Sequence, residues 1–265
     1  MKDKKDDAPL YGGKAVVCGN SKFRIHILQL VVCLFIACSV IFLQIHQMNL
    51  QDDTAPAGRQ VLLDVPFICQ RDKYPNACES VSAVMALQFY GIDITVEEFV
   101  GQYLTIGIAP YIDSDGIRRG CDPWEAFPGN PCDKTGWGCY APVIAKALKA
   151  IPLTDGFQVL EIYDLSVSEL CGRYIDNGIP VIFWATIDMQ KPEASLSWNI
   201  LGTDDEFTWI APLHCLLLTG YDDMYYYFND PLQKKNCRYT KDSVELAYAG
   251  MYSQAVVLVR QDVTT

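Results

Sequence analysis

Pro212-Leu213-His214-Cys215-Leu216-Leu217-Leu218-Thr219-Gly220-Tyr221-Asp222 reads as a buried strand that opens with His214 and ends in a turn. His214 is the only histidine beyond the first 46 residues. Whatever proton transfer near neutral pH the rest of the chain performs with an imidazole, it performs with this one. Gln70 and Cys78 lie upstream, and Asn229-Asp230-Pro231 follows an aromatic run downstream.

Around this strand the pattern separates into helices first and strands afterwards. Residues 79–90 place Val81, Val84, Met85 and Gln88 on one stripe at helical spacing, with Gly91 as a stop. Thr95 is positioned to cap a second helix through residues 96–100. A third covers 141–150 with Pro142 in its first turn. A fourth covers 167–177 and is stopped by Gly178. Residues 62–68 form an early strand candidate. Residues 180–186, 213–219, 225–228 and 255–259 are apolar runs of strand length separated by turn residues. This order predicts an α+β domain, N-terminal helices packed on a C-terminal antiparallel sheet.

Cys78 is the natural nucleophile candidate. Asn76 can cap the helix and Glu79 stands three residues on, at capping-box spacing. That puts Cys78 in the first turn, where free amide N–H groups and the helix dipole favour a thiolate. Gln70, eight positions earlier across a polar loop, can offer a side-chain N–H to a developing oxyanion beside the Cys78 backbone N–H. His214 can take the thiol proton and return it to a leaving amine. Asp230, one strand over, can hold the imidazole in the required tautomer, with Asn229 a competitor for that task. Each residue alone has an ordinary structural explanation; the four in chain order describe a thiol hydrolase.

The stretch Leu63-Asp64-Val65-Pro66, Gln70, Ala77-Cys78-Glu79-Ser80 and a helix ending Tyr90-Gly91 resembles the opening of the bacteriocin-processing (double-glycine) cysteine peptidase family. The 214–222 strand and Asn229-Asp230-Pro231 are similar to its histidine and aspartate motifs. Residues 122–131 with Gly136-Trp137-Gly138 resemble the loop of its stand-alone branch. Ala77 stands where these relatives often carry glycine. The resemblance spans roughly residues 61–259. It implies a papain-like fold with Cys78 as nucleophile, His214 as base, Asp230 as its orienter and Gln70 as oxyanion donor, acting on a peptide or protein. Two alternatives remain open: a catalytically inert papain-like domain that binds peptide or cell-wall material, and a related thiol amidase.

The N-terminal quarter has a different character. Residues 27–45 are apolar without a formal charge, and nineteen helical residues reach roughly 28 Å, close to a bilayer's hydrocarbon core. The expected organisation is a cytoplasmic tail (1–24), a single transmembrane helix (25–47), a linker (48–60) and the peptidase domain (61–265). Lys14, Lys22 and Arg24 before the apolar run, against Asp52 and Asp53 after it, place the N-terminus in the cytoplasm and the domain outside the cell. From Met48 onward the chain carries 15 Lys+Arg against 29 Asp+Glu, which argues against nucleic acid as a partner. Eleven cysteines fit an oxidising exterior. Cys121, Cys132 and Cys139 sit close enough in sequence for one short disulfide. Their spacing suits no usual zinc pairing, so no metal or other cofactor is expected.

Overall fold

The structure, a computed structural model, describes residues 60–71, 73–152 and 156–261, which belong to one unit, Gly58–Thr265. The apolar segment 27–45 lies outside the described residues. Among the described residues no helix is long and apolar enough to cross a membrane.

The centre is an antiparallel sheet, its strands numbered in chain order: β1 Val61–Leu62, β2 Phe157–Tyr163, β3 Val181–Thr186, β4 Leu213–Tyr221, β5 Tyr225–Asn229, β6 Cys237–Thr240 and β7 Gln254–Arg260. They run in the order β6-β5-β4-β3-β7-β2, with β1 paired to the far end of β4. Four helices flank it: α1 Cys78–Phe89, α2 Ala141–Ala150, α3 Val167–Arg173 and α4 Lys241–Gly250.

β4 reads as an unbroken apolar run because both its faces are covered. Successive side chains of a strand point to opposite sides. Cys215 and Leu217, with Ile182, Trp184, Val256 and Leu258 of the neighbouring strands, enter the core made with α1 and α2. Leu216 and Leu218, with Val181, Phe183, Ala255 and Val257, enter a second core with α3 and α4. The α+β sheet with helices on it is thus found, but helices occupy two faces rather than one.

Several local readings are sharpened. α1 buries every residue from Cys78 to Leu87 rather than a stripe, the polar Glu79, Ser80 and Ser82 included. Of the early strand 62–68 only Leu62, together with Val61 before it, forms a strand of the sheet. The second helix is one turn, Val96–Glu98, closed by a capping box between Thr95 and Glu98, and continues as a π turn over Phe99–Tyr103. α2 has the expected bounds with Pro142 in its first turn. The fourth helix divides into α3 and a 3₁₀ turn, Ile175–Asn177, ended by Gly178 in the left-handed region at φ 75°. Tyr111–Ile112, Arg118–Gly120, Glu193–Ile200 and Glu206–Ala211 form a second sheet that has no clear signal in the sequence pattern.

The short disulfide is a correction. Cys121, Cys132 and Cys139 are all free, as are the other five described cysteines. Sequence proximity misleads here because the three thiols enter different surroundings. Cys121 donates to the Ala126 carbonyl, Cys132 lies beside Glu97, and Cys139 is fully buried beside Glu79. Pairing therefore lends no weight to an oxidising surrounding.

Candidate active site

The start of β4 and the end of β5 bring two of the sequence candidates into contact. His214 Nε2 lies 2.8 Å from Asp230 Oδ1, with both side chains 1% exposed. An ionised carboxylate only accepts, so the ring proton belongs on Nε2 and Nδ1 keeps its lone pair. The Leu232 backbone N–H donates to Asp230 Oδ1 at 2.9 Å, and the Tyr239 hydroxyl donates to Oδ2 at 2.7 Å. Burial works to raise the Asp230 pKa, but these donors and the neighbouring His214 outweigh it, so the carboxyl is held below its usual range. Tyr239, from β6, had no local sequence signal; only the pairing of β5 with β6 brings it near.

Asn229 does not compete for the imidazole. Its amide Nδ2 donates to the Val65 and Pro66 carbonyls, at 3.2 and 3.0 Å, and its Oδ1 accepts from Asn236 N. It pins the segment after β1 to the end of β5. That segment leads to Gln70, whose backbone N–H donates to the Pro231 carbonyl at 3.0 Å. One N–H of the buried Gln70 amide is committed to the Pro75 carbonyl at 3.2 Å. A carboxamide nitrogen carries two, so a second donor remains. Gln70 Oε1 is buried with no partner among the described residues.

Cys78 is the first residue of α1 and 7% exposed. Its thiol meets the backbone of Cys215, the residue after His214. Ser82 Oγ donates to the Cys215 carbonyl at 3.3 Å and fixes α1 on β4. Two expectations fail at this helix start. Ala77, not Asn76, is the N-cap and no side chain caps it. Asn76 instead donates to the Asp133 carbonyl at 2.7 Å, because the 130–136 loop packs against it. Nor is the thiol acidified. Burial pushes it well above the ordinary thiol range and the neighbouring Glu79 pushes the same way, against which the hydrogen bond from the Cys215 backbone is too weak. A helix start contributes about 0.3–1 kcal/mol to an anion, whereas burying a charge costs several. Desolvation wins.

The thiol's hydrogen bond goes to Glu79 Oε2, at 3.3 Å. Glu79 Oε1 accepts from the Cys139 backbone N–H at 2.8 Å, and the Cys139 carbonyl accepts from the Trp184 indole at 2.8 Å. Gly138, at φ 142°, passes so close that a Cβ there would lie 2.8 Å from Glu79 Oε1 and 3.1 Å from the Trp209 ring. Trp137, Trp198 and Trp209 stack edge and face around this loop. An open cavity of about 700 Å³, lined by Gln190, Lys191, Glu193, Ser195, Ala211 and Pro212, ends two residues before His214.

Comparison with known proteins follows the same residues. Residues 62–256 match the Peptidase_C39 like family. The uncharacterized protein YvpB of Bacillus subtilis (strain 168) is 31% identical over 198 residues, 74% of this chain and 75% of the relative. The crystal structure of a candidate C39-like peptidase from Bacillus anthracis superposes with a TM-score of 0.64 at 26% identity, over 77% of this chain and 98% of that one. A double-glycine-motif protease from an AMS/PCAT transporter, solved with its leader peptide, is more distant: TM-score 0.41 and 14% identity, over 76% of this chain and 95% of that one.

Proposed function

Since the chain belongs to the Peptidase_C39 like family, we propose that it is a papain-like cysteine peptidase that hydrolyses peptide bonds with Cys78, His214, Asp230 and Gln70. The observation that carries this reading is the buried His214–Asp230 pair, which leaves Nδ1 as the basic ring atom. His214 Nδ1 takes the thiol proton, and the Cys78 thiolate attacks the scissile carbonyl carbon. The oxyanion so formed is held by the remaining Gln70 N–H and the Cys78 backbone N–H. The imidazolium then protonates the leaving amine, and water, activated by His214, releases the acyl group from sulfur.

A second reading is an inert domain that binds peptide without cutting it. It is favoured by the thiol resting on Glu79 rather than on His214. Limiting iodoacetamide at pH 6, applied to the full chain in detergent micelles and followed by peptide mapping, separates the two. Cys69 is exposed and free, an internal standard for an ordinary thiol. The peptidase reading expects Cys78 to react ahead of Cys69 and to lose that lead in His214→Ala. Modification of Cys69 first, with Cys78 untouched, would favour binding without catalysis.

The same proposal places the domain outside the cell on a single N-terminal membrane helix, supported by the uncharged apolar run 27–45 and the basic residues before it. In intact cells the protein should stay in the membrane pellet after a carbonate wash while added protease removes the 61–265 region. Release by carbonate, or protection from protease, would refute that placement.

A further inference from the structure

Glu79 is a buried carboxyl that the four-residue mechanism leaves without a task. At capping-box spacing from Asn76 it should have faced the helix start; instead its side chain, 0% exposed, lies between α1 and the segment entering α2. One oxygen accepts the Cys78 thiol proton at 3.3 Å and the other accepts the Cys139 N–H at 2.8 Å. The titratable groups facing it are Cys78 on its own helix, Cys139 and Tyr140 on the α2 side, and Cys215 on β4. Burial raises all four above their ordinary ranges, so they face the carboxyl as neutral acids.

We propose that Glu79 is a positioning residue that sets the protonation state of the Cys78 nucleophile. As a carboxylate it holds the sulfur as a neutral thiol; as a carboxylic acid it donates its O–H to the thiolate. The inference rests on Cys78 being the nucleophile of the proposed peptidase.

The proton balance gives the direction. With Glu79 ionised, moving the thiol proton to His214 Nδ1 leaves two anions side by side in a buried site, which opposes the transfer. With Glu79 protonated, the same transfer leaves one anion, the thiolate, between an imidazolium and an O–H donor. The Cys139 N–H bond to Oε1 persists in both forms, so the carboxyl need not move. Burial raises the Glu79 pKa to about 7, which sets the exchange in the range where cells work. Thiol and carboxyl titrate as a pair. As pH rises through about 7 the carboxyl ionises and the thiolate–imidazolium form shrinks. An ordinary thiol does the opposite, gaining reactivity roughly tenfold per pH unit below its pKa.

The test is the rate of iodoacetamide modification of Cys78 in the full chain in micelles, read from its mapped peptide between pH 5.5 and 8.5. Wild type should lose about threefold or more between pH 6 and pH 8. Glu79→Gln, whose amide can donate to sulfur at every pH while its oxygen accepts from Cys139, should keep or exceed its pH 6 rate. Superimposable profiles would overturn the inference. So would a wild-type rate that climbs like a simple thiol's, a result that needs no variant to fold. Selective labelling of Cys78 that depends on His214 but shows either of those outcomes removes only the role of Glu79. Labelling of Cys78 that is neither selective nor sensitive to His214→Ala removes the peptidase reading itself, and the inference with it.

Discussion

Cys78→Ala and His214→Ala are each expected to lower kcat/KM toward a pool of quenched fluorogenic peptides by about 10⁴-fold or more. The double variant should be no worse than the poorer single one. Nucleophile and base act as one unit: without the thiol there is nothing for the imidazole to deprotonate, and without the imidazole the buried thiol stays neutral. The raised thiol pKa makes the dependence on His214 severe, since burial leaves almost no thiolate without a cation beside it. Losses that add in the double variant, or turnover that survives Cys78→Ala, would show that another group performs the chemistry.

The largest expected effect on stability is at Trp184. It is fully buried in β3, in the core shared with α1 and α2. Its indole N–H also donates to the Cys139 carbonyl at 2.8 Å. Trp184→Ala removes that volume and strands the carbonyl, at a combined cost of roughly 4–6 kcal/mol. For an ordered region of about 200 residues this lowers the melting temperature by roughly 10–20 °C. Trp184→Phe keeps most of the packing and loses the hydrogen bond, at about 1–3 kcal/mol. Near-ultraviolet circular dichroism of the full chain on heating measures both. Equal small losses in the two variants would mean that this part of the core can collapse around the gap.

The elements legible in the sequence are those whose evidence is local. α2 carries its own start in Pro142 and its own apolar pattern, and its bounds follow from them. β3 and β4 declare themselves by continuous apolar runs. Less of the rest was readable. The second sheet joins Arg118–Gly120 to Glu193–Ile200, whose partly exposed residues give no clean alternation. β2 is defined by its ladder to β7, nearly a hundred residues later. α4 had a signal in Val244, Ala247 and Tyr248 at i, i+3 and i+4, but three buried positions in ten residues is a short stripe to act on.

The site divides in the same way. Gln70, Cys78, His214 and Asp230 could be singled out from residue type, order and scarcity. What keeps Asn229 from competing with Asp230 could not be read there. It follows from the register of β4 on β5 and from the Val65 and Pro66 carbonyls that occupy Asn229. Glu79 has the spacing of a cap from Asn76, but spacing carries no record of which loop will claim Asn76 first.

By itself, then, the sequence determined the residue types present, the single imidazole available beyond residue 46, and the helices and strands whose periodicity is written locally. Tertiary structure alone decided that β4 is covered on both faces, that Asp230 rather than Asn229 meets His214, and that a buried carboxyl accepts from the Cys78 thiol. The reason is physical: burial and hydrogen-bond partners arise between segments distant in the chain, and those two quantities decide the protonation state of a thiol.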